Sequence, residues 1–200
     1  MKETIRNYIS RGIALIILLL TSPLIIISIV CLKIESPHLS AFYVQQRIGK
    51  SKKTFKIYKL RTMYPCSNEE FEDLKNKNEA SGHMFKIKQD PRITPVGRYL
   101  RKLSLDELPQ LINVLKGDMA LVGPRPALPD EVENYSSHHL KRLTVLPGCT
   151  GLWQISGRSN VSFEEMIELD LMYIENISLF YDLKIILLTI PAVLTMRGAY

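Results

Sequence analysis

The stretch from Ile13 to Leu32 constrains the fold most, because it is uncharged and almost entirely aliphatic. A helix of about 20 residues, rising 1.5 Å per residue, can cross a bilayer core of roughly 30 Å. A secretory signal peptide fits poorly, since its apolar region is shorter and a small-residue cleavage site follows it. Here Lys33, Ile34 and Glu35 come next. The stretch therefore predicts a membrane-embedded helix.

Ser22 and Pro23 stand in the middle of this apolar stretch. Proline removes a backbone donor and kinks a helix, and a serine hydroxyl can bond a carbonyl that the kink frees. Basic residues flank both ends, so the positive-inside rule gives no clear orientation. A simple spanning helix stays open. The break favours a helix-break-helix over residues 1–36 that dips into the membrane and returns to the same face.

Composition narrows the partners without choosing among them. The chain has 200 residues, 46% of them hydrophobic, which suits one folded domain, and a formal net charge of +6. A basic balance favours nucleic acid, a phospholipid surface or phosphorylated substrates. The three cysteines are not at CxxC spacing and no HExxH occurs, so we expect reduced thiols and no zinc site.

Two short strands are predicted over 42–47 and 54–63, separated by a turn-rich break, and together they indicate a β-hairpin. From Arg47 to Arg61 the sequence contains seven lysines or arginines and no acid. A solvated face explains such a run. Lys59 and Arg61, however, project from one side of the second strand, where they suit lipid headgroups or substrate phosphates.

Helical spacing is found further along the chain. The predicted helices cover 96–102, 108–116 (closed by Gly117) and 163–174, with an exposed helix or loop over 67–78. The apolar segment 179–196 contains Pro191, so we expect an interfacial helix or two packed pieces.

The sequence SLDELPQ over 104–110 holds the sharpest candidate for chemistry. Ser104 and Glu107 have the spacing of a capping box, but that register puts Pro109 one turn inside the helix. If the helix starts at Asp106, Pro109 falls among the unbonded donors of the first turn. Two adjacent carboxylates at a helix start then suit a Mg²⁺ and phosphate site. Both interpretations stay open on these grounds.

Two further stretches have both an ordinary structural interpretation and a functional one. Arg125 lies between two prolines. The segment is either a rigid surface turn or a support that holds the guanidinium ready to bind phosphate oxygens bidentately. The glycine-rich stretch 147–158 would let backbone approach a nucleotide closely. By itself, an ordinary loop explains it better.

Together these motifs resemble the bacterial sugar transferase family, the monotopic phosphoglycosyl transferases. The matching stretches are FKIYKLRTM at 55–63, DPRIT at 90–94, SLDELPQLINVLKGDMALVGPRP at 104–126 and PGCTGLWQISGR at 147–158. They keep the family's order, and the resemblance covers nearly the whole chain. The apolar start with Ser22 and Pro23 also looks like the family's re-entrant membrane helix.

The resemblance implies a mechanism and a set of site residues. Asp106 is the implied nucleophile, which attacks the β-phosphate of a UDP-sugar and releases UMP, and a polyprenyl phosphate then takes up the phosphosugar. Asp106 and Glu107 are the implied Mg²⁺ ligands, and Glu107 assists the acceptor. The implied substrate contacts are Lys59, Arg61, Arg101, Arg125, Gln154 and Arg158.

The implied fold is α+β and mainly helical. It has an N-terminal re-entrant membrane helix over 1–36, a small β-hairpin, and interfacial amphipathic helices around a cytosolic catalytic core over 37–200, as one integrated domain. The implied partners are a UDP-sugar, polyprenyl (undecaprenyl) phosphate and the bilayer, with no nucleic acid. The implied location is the bacterial inner membrane with the catalytic face cytosolic. Its product would start exopolysaccharide, capsule, O-antigen or glycoconjugate synthesis.

Departures from the family pattern are few. Ala120 replaces a common serine and Cys149 a frequent isoleucine or valine, and neither touches the acid pair. We expect the extra N-terminal membrane helices of longer members to be absent. A membrane-anchored scaffold without chemistry, a basic nucleic-acid binder and a polytopic transferase are the alternatives. The motifs lean only towards glucose or galactose as the sugar, and a homo-oligomer stays open.

Overall fold

The structure, a computed structural model, describes residues 2–75, 79, 87, 89–157 and 161–195. The helices in chain order are α1 (Lys2–Glu35), α2 (Asn68–Lys75), α3 (Pro95–Lys102), α4 (Gln110–Lys116), α5 (Pro129–Glu133), α6 (Ser137–Leu140), α7 (Leu152–Ser156), α8 (Phe163–Glu175) and α9 (Leu179–Leu194). The strands are β1 (Phe42–Ile48), β2 (Thr54–Leu60), β3 (Ala120–Val122) and β4 (Gly148–Thr150). The predicted α+β, mainly helical fold is confirmed.

Helix α1 differs from the predicted helix-break-helix, because it runs without interruption through Ser22 and Pro23. Pro23 lacks the N–H that would bond the carbonyl of Leu19, four residues earlier. The Ser22 hydroxyl donates to that carbonyl at 2.8 Å, so the position stays hydrogen-bonded and the helix continues. The role expected of the serine is therefore confirmed, and re-entry into the membrane stays a prediction.

Among the described residues, α1 is the one helix long and apolar enough to cross a membrane, judged by length and composition. Only 11% of its most apolar window is buried. The core helix of a soluble protein would bury most of that surface. The exposed aliphatic face of α1 therefore needs an apolar environment.

Both ends of α1 contact the rest of the fold. Near its start, Arg6 donates to the Tyr173 hydroxyl at 2.9 Å and lies 3.5 Å from the Asp182 carboxylate. Near its end, the Leu32 carbonyl accepts a hydrogen bond from Arg61 at 3.2 Å. The membrane helix is thus attached to α8 and α9 at one end and to the residue after β2 at the other.

The predicted β-hairpin is confirmed. Strands β1 and β2 pair antiparallel, with Phe42 opposite Leu60 and Ile48 opposite Thr54. Fully buried Asn113 of α4 satisfies the free edge of β2: its Oδ1 accepts from Tyr58 N at 3.1 Å, and its Nδ2 donates to Lys56 O at 2.7 Å. This contact fixes α4 and the residues before it against β2.

The main core lies between the hairpin, α4, the parallel pair of β3 and β4, and the helices α1, α8 and α9. It contains Ala14, Phe55, Ile57, Leu111, Val114, Met119, Leu121, Val122, Tyr173 and Ile185. The predicted helices over 96–102 and 163–174 correspond to α3 and α8, and Gly117 ends α4 in the left-handed region at φ 84°. Helix α9 continues through Pro191 as one piece and exposes an apolar face with Phe180, Leu183 and Leu187.

Candidate active site

Asp106 and Glu107 lie in a 3-10 turn, Leu105–Glu107, between α3 and α4. Both predicted registers of this segment are wrong. Ser104 makes no side-chain cap, since its backbone is left-handed at φ 54° and directly follows the C-cap of α3. A left-handed residue there is a common way to end a helix. Helix α4 begins only at Gln110, so Asp106 is not its N-cap either.

The turn brings the two acids up to the cationic side chains of neighbouring elements. Lys59 of β2 donates to Glu107 at 2.6 Å, with both side chains partly exposed. Asp106 is half-buried, and the positive charges of Lys59 and Arg101 both favour its ionised form. The structure thus brings together four of the predicted residues: Lys59, Arg101, Asp106 and Glu107.

Burial, and after it the negative charge of Glu107, together raise the pKa of Asp106 to about 7. The two cations lower this pKa but do not cancel the rise. A carboxylate with a pKa near neutrality is more basic than an ordinary aspartate and still substantially ionised at pH 7. Such a group can act as a nucleophile or as a general base.

The acid pair fits Mg²⁺ better than metals that need a full protein cage. Within the described ranges, no group of three or more histidine, cysteine, aspartate or glutamate side chains could hold a metal ion. Mg²⁺ often uses only one or two carboxylates and takes its other ligands from water and substrate phosphates. The repulsion between Asp106 and Glu107 is also what a nearby cation would relieve.

Arg125 lies beyond the acid pair on an irregular segment after β3. Its Nη1 donates to both carboxylate oxygens of Glu131 at 3.2 Å, and its side chain is 23% exposed while that of Glu131 is 2% exposed. The Glu131 carboxylate thus holds the guanidinium of Arg125 from one side. The remaining exposed part faces solvent and is available to an anion.

Arg47 was not among the predicted site residues. It is buried, donates to Pro126 O at 3.1 Å, and has its pKa lowered to about 10 by burial and by the positive charge of Arg125. The negative charge of Glu107 acts in the opposite direction, so the Arg47 guanidinium lies within electrostatic reach of the acid pair. The signal in the sequence was its place at the end of a predicted strand, where the basic run begins.

The structure uses Arg61 differently from the prediction. Its guanidinium donates to Ser40 O at 2.9 Å and to Leu32 O at 3.2 Å, and its side chain is buried. Arg61 therefore joins the end of α1 to the hairpin in this structure.

The glycine-rich stretch reaches the acid pair through Cys149. Burial raises the pKa of this thiol, and so does the negative charge of Glu107, which places β4 beside the site. Gln154 donates to Cys149 O at 3.2 Å, while its buried Oε1 has no partner among the described residues. That oxygen is therefore a candidate acceptor for a ligand. Arg158 lies outside the described residues.

Known proteins resemble the chain along its length. Residues 1–196 match the family described as bacterial sugar transferase. A galactosyl transferase, CpsE, of Streptococcus agalactiae is 49% identical over 160 residues, which are 80% of this chain. The exopolysaccharide production protein ExoY of Rhizobium meliloti is 46% identical over 191 residues, or 94% of this chain. An undecaprenyl-phosphate galactose phosphotransferase of Salmonella typhimurium is 44% identical over 191 residues, again 94%.

The share of each relative that is matched differs. The aligned residues are 84% of ExoY but 36% of the streptococcal protein and 40% of the Salmonella protein. The chain thus spans less than half the length of two of these relatives.

Proposed function

Because the chain belongs to the bacterial sugar transferase family, we propose that it moves a sugar-1-phosphate from a UDP-sugar to a polyprenyl phosphate. The observation that carries this proposal is the acid pair in its 3-10 turn, with Lys59 bonded to Glu107 and Arg101 close to Asp106. Phosphoryl transfer needs a positioned nucleophile and compensation of negative charge, and this arrangement supplies both. The names of the relatives support the same reaction class.

In the first step an Asp106 carboxylate oxygen attacks the β-phosphorus of the UDP-sugar. The new P–O bond forms as the bond to the bridging oxygen breaks, and UMP leaves with that oxygen. The sugar-1-phosphate is then covalently attached to Asp106. The raised pKa of Asp106 suits this role, because greater basicity makes the carboxylate a better nucleophile.

In the second step a phosphate oxygen of the polyprenyl phosphate attacks the same phosphorus. The bond to Asp106 breaks, and the products are polyprenyl-diphosphosugar and free carboxylate. Glu107 lies beside Asp106 and assists the acceptor. The positive charges of Arg47 and Arg125 favour the donor's phosphates, and Gln154 offers a buried acceptor to the nucleotide.

Asp106 and Glu107 would hold Mg²⁺, which when bound neutralises phosphate charge. The exposed apolar faces of α1 and α9 support a membrane location, with α9 lying in the interface. We place the protein in the bacterial inner membrane with its site on the cytosolic face, where UDP-sugars occur. Its product would start exopolysaccharide or related glycoconjugate synthesis, as the name of ExoY suggests for that relative.

A UMP-release assay tests the proposal. The purified full chain is given a panel of UDP-sugars, including UDP-glucose and UDP-galactose, with and without polyprenyl phosphate. We expect continuous UMP release only with the acceptor, a single enzyme equivalent without it, and loss of turnover in chelator. Absence of UMP release with every sugar would refute the proposed function.

A binding experiment tests the metal without activity. Adding Mg²⁺ at pH 8 should raise the Tm of the wild-type chain, because the ion binds only the folded acid pair. The double variant Asp106→Asn, Glu107→Gln should show no such rise. An equal rise in both would place the metal elsewhere.

A further inference from the structure

Residues 123–128, which we call the arginine loop, carry Arg125 between Pro124 and Pro126. Irregular backbone has no ladder of its own to satisfy its polar groups, so their partners must come from elsewhere. In this loop the partners come from two strands, β4 and β1. Gly123 N donates to Thr150 O at 2.9 Å, Pro124 O accepts from Gly148 N at 2.9 Å, Pro126 O accepts from Arg47 Nη1 at 3.1 Å, and Ala127 O accepts from Ile48 N at 2.9 Å.

The backbone of Arg125 itself rests on one buried ion pair. Its N–H donates to Asp170 Oδ2 at 3.3 Å, and its carbonyl accepts from Arg142 Nη2 at 3.2 Å. Arg142 and Asp170 are bonded to each other, and each side chain is 1% exposed. Both main-chain polar groups of Arg125 therefore end on the same pair of side chains.

The guanidinium end of Arg125 is held by Glu131, whose negative charge also acts on Arg142. Glu131 binds the Arg125 guanidinium and also accepts from Leu128 N at 3.0 Å, at the end of the arginine loop. Arg142 makes a further contact through Nη1, which donates to the Tyr135 hydroxyl at 2.7 Å. The loop is therefore held at its backbone and at its functional side chain.

The location of the Arg142–Asp170 pair indicates a role in placing Arg125 as well as in stabilising the fold. Replacing a buried ion pair by apolar residues of similar volume is often neutral or stabilising, so such a pair is weak evidence of a stabilising role. This pair bonds the backbone of Arg125, which the two flanking prolines stiffen. A guanidinium held in place loses less rotamer freedom when it binds an anion.

We propose that Arg142 and Asp170 are positioning residues, which hold the Arg125 guanidinium in place to receive a phosphate of the sugar-nucleotide donor. The proposal rests on the proposed function, because it takes Arg125 as a contact of the donor. The pair acts through Arg125 and does not touch the substrate. Its removal therefore affects the UDP-sugar and leaves the affinity for polyprenyl phosphate unchanged.

A double-mutant cycle with Arg125 tests this inference. The variant Arg142→Met, Asp170→Leu removes both charges and keeps the volume, so we expect it to fold. In the wild-type background it should lower kcat/KM for the UDP-sugar about tenfold, a coupling typical of one hydrogen-bond network. In an Arg125→Ala background the same substitutions should lower it less than about twofold, since their target is gone.

Two companion variants keep the test decisive. If the double variant fails to fold, Arg142→Lys takes its place. It retains the buried charge but cannot keep all of the contacts of a guanidinium, so we expect a smaller fall in kcat/KM for the UDP-sugar. Glu168→Gln is the matched control, because it alters the exposed contact between Glu168 and His138, which joins the same two parts of the chain at 2.7 Å. It should leave kcat/KM within about twofold of the wild type.

Equal losses in the presence and absence of Arg125 would overturn the inference, as would an unchanged kcat/KM in a folded Arg142→Met, Asp170→Leu variant. A raised KM for polyprenyl phosphate with an unchanged KM for the UDP-sugar would also overturn it. Failure of the proposed function is separate, because the wild-type chain would then release no UMP at all.

Discussion

Asp106 combines partial burial with an adjacent carboxylate, and the result is a pKa of about 7 against about 3.9 in an unfolded chain. Between these two values the folded protein binds more protons than the unfolded one, so stability falls as pH rises from about 4 to 7. Above pH 7 the whole penalty is present. The charge that makes Asp106 reactive therefore works against the stability of the fold.

Asp106→Asn should remove this penalty in metal-free protein. In chelator at pH 8 we expect its Tm to exceed that of the wild type by about 2–4 °C, the effect of ~1 kcal/mol in a chain of this size. At pH 4.5 the difference should shrink, since wild-type Asp106 is then protonated. Thermal unfolding of both proteins at the two pH values measures this. Glu175→Gln, at an exposed position, is the control, and a pH-independent difference for Asp106→Asn would contradict the assignment.

Arg125→Lys keeps a positive charge but loses the planar fork of the guanidinium. An ammonium cannot contact Glu131 and bind phosphate oxygens in parallel, so kcat/KM for the UDP-sugar should fall at least about tenfold. The steady-state rate of UMP release measures the effect. Arg98→Lys, at an exposed position of α3, should have little effect. Equal activity of Arg125→Lys and wild type would remove Arg125 from the site.

At this scale, the sequence predicted chemistry better than geometry. The acid pair stood out because two adjacent carboxylates suit a Mg²⁺ and phosphate site, and the structure places Lys59 and Arg101 next to them. The capping of Ser104 was misjudged because the end of α3 uses its backbone, a demand that the local motif does not show. The sequence did not distinguish the roles of Arg61 and Arg47. Arg61 donates to Leu32 O at the end of α1, whereas Arg47 feels the charge of Glu107. Only tertiary packing decides which of the two lies near the acid pair.

Among the elements, α1 best shows how one hydroxyl lets a proline sit in an unbroken helix. Ser22 replaces the bond that Pro23 cannot make, by donating to Leu19 O at 2.8 Å. Without it that carbonyl would lie unbonded among apolar groups, where each unsatisfied group is costly. The sequence predicted this exchange, because the partner of the missing N–H is fixed at four residues earlier. The predicted interruption of the helix at these residues is not seen, since α1 continues through them.

Substitutions at these two positions separate stability from bending. Ser22→Ala should lower the free energy of unfolding by about 1–3 kcal/mol, since it leaves Leu19 O unbonded. Ser22→Ala, Pro23→Leu restores a backbone donor and should regain stability, but it removes the kink expected at a proline and should lower UMP release. Thermal unfolding and the UMP assay on both variants measure this.

Thr21→Ala is the matched control for these substitutions. Its hydroxyl donates to Ile17 O at 2.8 Å, a carbonyl that also has a backbone partner within the helix. It should therefore change stability little. Full activity in the Ser22→Ala, Pro23→Leu variant would show that the bend is unnecessary.

The hairpin was predicted well because turn and strand signals there are local, whereas the parallel pairing of β3 with β4 was not predicted. Each of these strands has only three residues, and their pairing joins segments far apart in sequence. Pro191 similarly left one interfacial helix or two packed pieces open, and the structure has one helix, α9. Such features depend on packing that the local pattern does not contain.

For the whole molecule, the attachment of both ends of α1 to one folded unit matters most. Arg6 contacts Tyr173 and Asp182 at one end, while Arg61 holds Leu32 O at the other. A helix that crossed the bilayer completely would place these contacts, which belong to one folded unit, on opposite sides of the membrane. The contacts therefore favour the predicted return of α1 to the face from which it enters.

Cysteine labelling in intact cells tests this topology. In a chain with its three native cysteines replaced by serine, Thr4→Cys should react with an impermeant thiol reagent only after lysis. Glu133→Cys, an exposed position of the proposed cytosolic domain, should behave identically. Labelling of Thr4→Cys in intact cells, with Glu133→Cys still protected, would establish a complete span.

The central claim is the covalent intermediate on Asp106, and the mass of the intact protein tests it most directly. The purified chain is mixed with UDP-sugar without acceptor, quenched in acid and measured, and the modified peptide is then sequenced. We expect a mass increase of one sugar phosphate, located at Asp106, absent from Asp106→Asn and removed by adding polyprenyl phosphate. Normal turnover in Asp106→Asn, or an adduct on another residue, would contradict it.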